Sequence, residues 1–537
     1  MREHLPKILI IGLLILIVGV PILLRPANSA ESDPNAPNLV IYTPHNEQIR
    51  FEIQMAFNDW RASQNLPEVV FDWRTPGGTS DIRKSILSQY IQLIGSRKNL
   101  DEQGIGADLF FGGGEYDHNK VASGIELKNG DEKTVTRIVM DPQLDPELFK
   151  QAFPQPLIGG EKLYATYTFE EANRDGDTEE IELIGWTGIT LSSFGIVYNR
   201  DALKQLGLDE PKTWSDLGDP KLRGWVALAD PGHSGSISAT FETILKREGW
   251  TQGWITLRNA FGNARYFATS ADRVPVDVSR GDAAVVMCID FYGRFQSSAV
   301  GNERVGYSDP IEAGQSMTAT TADPITLLRG APSPELARQF IAWLLSPDAQ
   351  SLWQRSKADG SDELVRPKSF ELRRQPLRMD LYNEASQASW VDQDLNPYPT
   401  AVPFPEGTPS YFSMVAPVTK SMASEIHHDL ITAWRALNDA IETNHPKVEA
   451  MRSAFYAMPP ELTLTWPDEE LAENWQAVQR DASHPRHSEV VEYLGAFADQ
   501  LGGLSDRNDA SVLDANRIKW RSFFQAQYRE VVRLSQE

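Results

Sequence analysis

A chain of 537 residues exceeds one compact core and divides into two or three domains, and its 41% hydrophobic and 23% charged residues suit a folded protein. The formal net charge of −23 argues against a nucleic-acid partner, because phosphate backbones are held by basic surfaces. The single cysteine, Cys288, excludes an internal disulfide, a multi-cysteine metal cluster and a lipid-bearing cysteine after the leader.

The N-terminal stretch MREHLPKILIIGLLILIVGVPILLRPANSA carries Arg2 and Lys7, an apolar run from Ile8 to Leu24, and then Arg25. That run is long for a signal-peptide core and short for a comfortable span. Residues 1–30 therefore read either as a signal peptide cleaved after Ser29 or as an anchor retained in the inner membrane through residues 8–24. Both readings put the rest of the chain in the periplasm or cell envelope.

After the polar linker ESDPNAPN, LVIYT reads as a buried strand, and IRFEIQMAFNDWRASQN as a helix with Ile49, Ile53, Phe57 and Trp60 on one face. EVVFDWR, SDIRKSILSQYIQLI and ADLFFGGG continue as strand, helix and strand, which predicts βαβ units and a parallel sheet. Ligands of such sheets sit outside the carboxyl ends of the strands, so the loops after Thr43 and Phe111 face the expected cleft. GWTGITLSSFGIVYN predicts one or two extended strands, DALKQLGL a short helix and VALADP a strand. SGSISATFETILKREGW predicts a helix, and DAAVVMCIDFYGRF a strand running into a loop with Cys288 as a core thiol. PELARQFIAWLLSPDAQSLWQRS predicts one long amphipathic helix. Past residue 370 the chain turns Pro-rich and irregular, and 415–537 is helical in pattern.

The stretch SFGIVYNRDALKQLGLDEPKTWSDLGDPKLRGWVALADPGHSGS, residues 193–236, resembles the central signature of extracellular solute-binding proteins of ABC transporters, nearest the ferric-iron-binding branch. LVIYTPHNEQ, ADLFFGGG, GDAAVVMCIDFYGRF and PELARQFIAWLLSPDAQSLW are similar to further segments of that family, over about 38–360. The resemblance implies an α/β, two-lobe periplasmic-binding-protein fold of type II with crossover hinge strands, followed by an α-helical C-terminal extension. The implied division is 38–135 with 310–400 for lobe 1, 136–309 for lobe 2, and 415–537 for the extension. It also implies a small-molecule or ion ligand, an ABC permease as partner, a monomer, no catalysis and no cofactor, with Fe³⁺ possible only as cargo.

The loop GHSGS (232–236) is one residue from a G-x-S-x-G nucleophile turn, but Ser236 stands where the last glycine belongs, which disfavours a secreted serine hydrolase. The same loop opening a helix offers unpaired N–H groups and hydroxyls to an anion; the plain alternative is that Ser234 or Ser236 merely caps the helix. The expected ligand-binding set is His45 and Asn46, Gly113 and Gly114, Ser192 and Ser193, His233, Ser234, Gly235 and Ser236, and Asp290 with Tyr292. In the iron-binding relatives paired tyrosines hold the ferric ion, whereas Phe291 precedes Tyr292 here, and glycines stand where the ligand carboxylate would be. Ser192 and Ser193 replace the arginine that those relatives use for an anion. An organic or phosphorylated solute is therefore favoured over iron held by His45, Tyr292 and Asp290 or Glu115, and a membrane-anchored ligand sensor or scaffold remains open. The adjacent His427 and His428 read as surface residues of a helix.

Overall fold

Short apolar runs alternating with amphipathic helices set the order of the N-terminal half. The computed structural model describes residues 36–537 apart from 130–131, 173–176, 359–364 and 505–509. The leader, with its choice between signal peptide and anchor, lies outside the described residues. Among the described residues no helix is long and apolar enough to cross a membrane.

The first lobe opens with β1 (Asn38–Tyr42), α1 (Glu47–Ser63), β2 (Val70–Arg74), α2 (Thr79–Gly95), β3 (Leu109–Phe111) and α3 (Glu115–Ala122). It continues through β4 (Val139–Met140), β5 (Tyr164–Ala172) and the long β6 (Thr178–Ser192). Helix α1 starts where the Asn46 side chain accepts the Ile49 N–H at 3.0 Å, and it buries Ile49, Ile53, Ala56 and Phe57 as one stripe.

One residue later the chain enters the second lobe. Its elements are β7 (Phe194–Asn199), α4 (Arg200–Leu206), β8 (Val226–Ala229), α5 (Gly235–Glu248), α6 (Trp250–Gly262), β9 (Ala264–Ala268), α7 (Val274–Arg280), β10 (Val285–Ile289), α8 (Asp290–Val300) and β11 (Val305–Ser308). The chain then returns through β12 (Thr321–Leu328), α9 (Pro334–Leu344), α10 (Pro347–Ser351) and β13 (Gln375–Pro376). The first sheet runs β13-β6-β12-β3-β1-β2, with β5 paired to β6 and β4 to β12; β1 is parallel to β2 and β3, and β12 is antiparallel to β3 and β6. The second runs β9-β8-β10-β7-β11, parallel from β9 to β10 and antiparallel around β7.

Two sheets joined by two crossings make the two-lobe fold. The crossings are Ser193, between β6 and β7, and residues 309–320. They are tied together: Ser193 Oγ donates to Asp309 Oδ1 at 3.1 Å, and the Phe194 N–H donates to Thr318 Oγ1 at 2.9 Å. The expected division at 135/136 moves accordingly. Residues 139–192 pair into the first sheet, because the β5–β6 hairpin lies along β12 rather than beside β7. Two local expectations also change. The segment after β10 is the helix α8, not a loop, and the single helix expected over 334–356 is broken where Ser346 caps α10 and Pro347 occupies its first turn.

The C-terminal helices are α11 (Phe412–Met422), α12 (His427–Glu442), α13 (Val448–Tyr456), α14 (Glu469–Arg480), α15 (His487–Leu504) and α16 (Ala510–Leu534). Their buried residues, from Tyr411 to Leu534, form one continuous apolar cluster with the core of the second lobe. Trp434, at 4% exposure, donates to Asn263 Oδ1 at 2.7 Å, and Trp250 Nε1 donates to the Leu462 carbonyl at 2.7 Å. The fully buried Arg258 crosses the same seam and donates to the carbonyls of Phe455 and Ala457. The expectation that His427 and His428 are both surface residues of a helix holds for His428 alone, since His427 is half-buried with its Nε2 3.0 Å from the Ala264 carbonyl on β9.

Candidate functional site

The loops at the carboxyl ends of β1, β2, β3 and β8 meet along the seam between the lobes, where the packing forms three adjoining clusters.

The first is buried and charged. His45, after β1, is 5% exposed, and its Nε2 lies 3.0 Å from Asp323 Oδ2 and 3.0 Å from Arg374 Nη1. Arg374 also donates to Asp323 Oδ2, and at 3.0 Å to Ser192 Oγ. Its guanidinium lies over Phe291 at 4.2 Å and Trp353 at 5.3 Å. Asp323 Oδ1 accepts the Gly113 N–H at 2.6 Å, so one carboxylate orders the histidine, the arginine and the glycine loop. Burial works to raise the Asp323 carboxyl, but Arg374 and His45 overcome it and hold it well below the usual carboxylate range. Burial lowers His45, against the opposing pull of Asp323.

The second cluster sits at the crossing. Gln375 donates to Asp290 Oδ2 at 2.6 Å and to Ser193 Oγ at 3.3 Å. Asp290 opens α8, and burial pushes its carboxyl up to about 6, against the pull of Arg294 at 3.8 Å. Its Oδ1 is buried without a hydrogen-bond partner among the protein atoms. Tyr292, half-buried on α8, packs its ring 4.4 Å from Phe291, and burial raises its phenol.

The third cluster gathers the N-termini of α2, α3 and α5. A Cβ on Gly78 would stand 2.0 Å from the His233 carbonyl, and one on Gly113, at φ +105°, would stand 2.1 Å from the Thr79 side chain. A Cβ on Gly235 would stand 2.9 Å from Asp117 Oδ2, which is buried and has no hydrogen-bond partner, while Asp117 Oδ1 accepts from Arg83 at 2.6 Å. Ser234 caps α5 by accepting the Ile237 N–H at 3.3 Å, and its Oγ lies 3.1 Å from Ser236 Oγ. His233 Nδ1 reaches 3.6 Å from Asp81 on α2. Each helix start carries unpaired N–H groups and a partial positive charge, and the first-turn carboxylates of Asp81 and Asp117 already stand in the field of the three.

The structure thus brings His45 and Ser192 together, Ser193 with Asp290, and Gly113 with the 233–236 loop. Asn46 is spent on capping α1, Gly114 precedes α3, and Glu115 faces Asn119 at 3.1 Å, in the field of Glu161, Lys162 and Lys246. Sequence reasoning missed Asp323, Arg374, Gln375, Gly78, Thr79 and Asp117. Two of these left a signal: a lone acid inside the apolar run TADPITLL, and the arginine-dense RRQPLR in an irregular stretch.

Residues 135–372 match the family described as bacterial extracellular solute-binding protein. The chain contains an extracellular solute-binding domain. That family is one of binding proteins rather than enzymes. The chain is 28% identical over 166 residues to the phosphoglycerate transport regulatory protein PgtC of Salmonella typhimurium, covering 30% of this chain and 39% of that protein. The chain therefore spans about two-fifths of the length of that curated relative. Among solved structures, the periplasmic binding protein AfuA of Actinobacillus pleuropneumoniae, with fructose-6-phosphate bound, aligns at TM-score 0.48 and 14% identity, over 76% of this chain and 98% of that one. Iron-bound HitA of Pseudomonas aeruginosa aligns at 0.46 and 18%, over 71% and 97%.

Proposed function

We propose that this solute-binding protein is exported, works with an ABC permease, and closes its lobes on an anionic organic solute, with a phosphate ester favoured. The observation that carries the reading is the meeting of the α2, α3 and α5 N-termini at Gly78, Gly113 and Gly235. Ser234 and Ser236 add hydroxyls there, and Arg374, with Ser192, lies on the same seam. A ferric cargo fits this set poorly: the Arg374 guanidinium stands 3.0 Å from His45 Nε2, and Phe291, which cannot coordinate, stands beside Tyr292. The name of the PgtC relative, a phosphoglycerate transport regulatory protein, supports a phosphorylated ligand.

Thermal shift with 3-phosphoglycerate, fructose 6-phosphate, inorganic phosphate, Fe³⁺, spermidine and a neutral sugar tests it. A phosphate ester at a hundred times its Kd should add ~2.7 kcal/mol of stability. Stabilisation by Fe³⁺ alone, lost in Tyr292→Phe, would overturn the reading. A second reading, a ligand sensor that reports closure to a protein partner, is favoured by the relative's regulatory name and by the large helical extension. A permease and an ATPase encoded beside the gene would decide for import, and a signalling partner there for the sensor.

A further inference from the structure

Between the return to lobe 1 and the first helix of the extension, residues 400–412 run across both lobes. On lobe 1 the strap lies against Gly159 and Gly160, whose added Cβ atoms would stand 3.0 Å from Ala401 and 3.4 Å from Pro403. On lobe 2 it is gripped by α5. Arg247 donates to the carbonyls of Val402 and Pro403, and the Phe404 ring lies under Lys246 at 3.8 Å and Arg247 at 4.1 Å. The half-buried Glu242 carboxylate accepts from Ser410 Oγ at 2.7 Å and from the N–H groups of Tyr411 and Phe412 at 2.8 and 3.0 Å. The strap's far end then crosses back to lobe 1. Phe412 stacks on Tyr116 of α3 with ring centroids 4.1 Å apart, and Arg83 and Lys120 flank that tyrosine ring at 5.6 and 5.3 Å. Lys246 makes a second tie across the seam, 3.1 Å from Glu161.

The extension shares one core with lobe 2, so the two move as a body. Opening the seam must therefore part Phe412 from Tyr116. We infer that the C-terminal extension is a built-in latch: the Tyr116–Phe412 stack holds the lobes closed and ties the state of the extension to closure of the cleft. The inference rests on the reading that the lobes close on a solute. Helix α5 serves both ends of the device, with the 233–236 loop at its N-terminus and the strap on Glu242, Lys246 and Arg247.

The test is the distance between spin labels in the full chain without added solute. The labels sit on Ser96→Cys at the end of α2 and Lys204→Cys on α4, both exposed, while native Cys288 is buried and its thiol raised. Phe412→Ala and Tyr116→Ala should each raise the long-distance fraction roughly two- to tenfold, the range that an aromatic pair carries. The double variant should do no more than either single one, and Tyr116→Phe should keep the parent distribution. Unchanged distances in Tyr116→Ala, or effects that add in the double variant, would overturn the latch. Tyr116 lies outside the shared core, so its variant keeps the test valid even if Phe412→Ala unfolds. Failure of every solute in the thermal panel would overturn the ligand reading and leave the distance result standing.

Discussion

Arg374 donates to Asp323 Oδ2 with the two side chains 0% and 6% exposed, and this pair ties the β13 end of lobe 1 to His45 and to the Gly113 loop. A buried ion pair is worth little against an apolar replacement, but losing one partner strands the other charge. Arg374→Ala is expected to destabilise the protein by about 3–5 kcal/mol in urea unfolding, while exposed Arg97→Ala changes it by less than about 0.5 kcal/mol.

The same pair fixes an acid response. The folded Asp323 carboxyl lies below its unfolded value of about 3.9, so its stabilising contribution is complete above that pH and is lost as pH falls toward the folded value. Asp323→Asn should be less stable than the parent at pH 7, and the gap should narrow below about pH 4. Melting temperatures from pH 7 to 2.5 measure this, and a constant gap contradicts it.

Glu115 works in the opposite direction. Burial, with Glu161 nearby, pushes its carboxyl up to about 7. A raised folded value means that its contribution is complete below the unfolded value of about 4.5 and is lost as pH rises through about 7. Glu115→Gln should therefore gain on the parent between pH 5 and pH 8, by on the order of 1–3 kcal/mol after allowance for partial exposure. Paired melts at the two pH values check the sign.

Gly113 and Gly114 separate close approach from simple sequence adjacency. Alanine at Gly113 must adopt φ +105° with its Cβ on Thr79, whereas at Gly114, φ −103°, nothing lies within 4 Å. Gly113→Ala is expected to lose about 2 kcal/mol or more and the stabilisation by a phosphate ester, and Gly114→Ala to keep both. Equal behaviour of the two variants would remove the close-packed loop from the site.

The shared core makes the extension inseparable from lobe 2. Trp434→Ala should cost about 3–5 kcal/mol and shift lobe 2 and the extension in one transition. A chain ending at 405 should bind a hydrophobic dye such as ANS, because the α5–α6 face loses its cover.

The strand and helix order from Asn38 to Gly95 was legible because short apolar runs alternate there with clean period-3.6 stripes. Which sheet a strand joins was not legible. The apolar pattern of β6 is the same whether it borders β12 or β7, and the hairpin partner that decides it lies in a stretch of acidic, alternating residues. Helix α8 was not legible behind the strand that precedes it; its Gly293, a poor helix former, gives room to Tyr307, 2.4 Å from where a Cβ would stand. At the site, loops next to strand ends could be read locally, whereas Arg374 and Gln375 reach it from more than 180 residues away from Ser192 and Ser193. Amphipathic stripes on α11 to α16 announced helices without saying which lobe they cover.

A single residue, Ser193, separates β6 from β7, and the second crossing is hydrogen-bonded to it. Asp290 of lobe 2 and Gln375 of lobe 1, both buried, join the lobes beside that serine by one hydrogen bond. On the proposed closure, substitutions at this joint should shift the balance between open and closed lobes, and those in the 233–236 loop the residence time of the solute, a split that stopped-flow binding resolves.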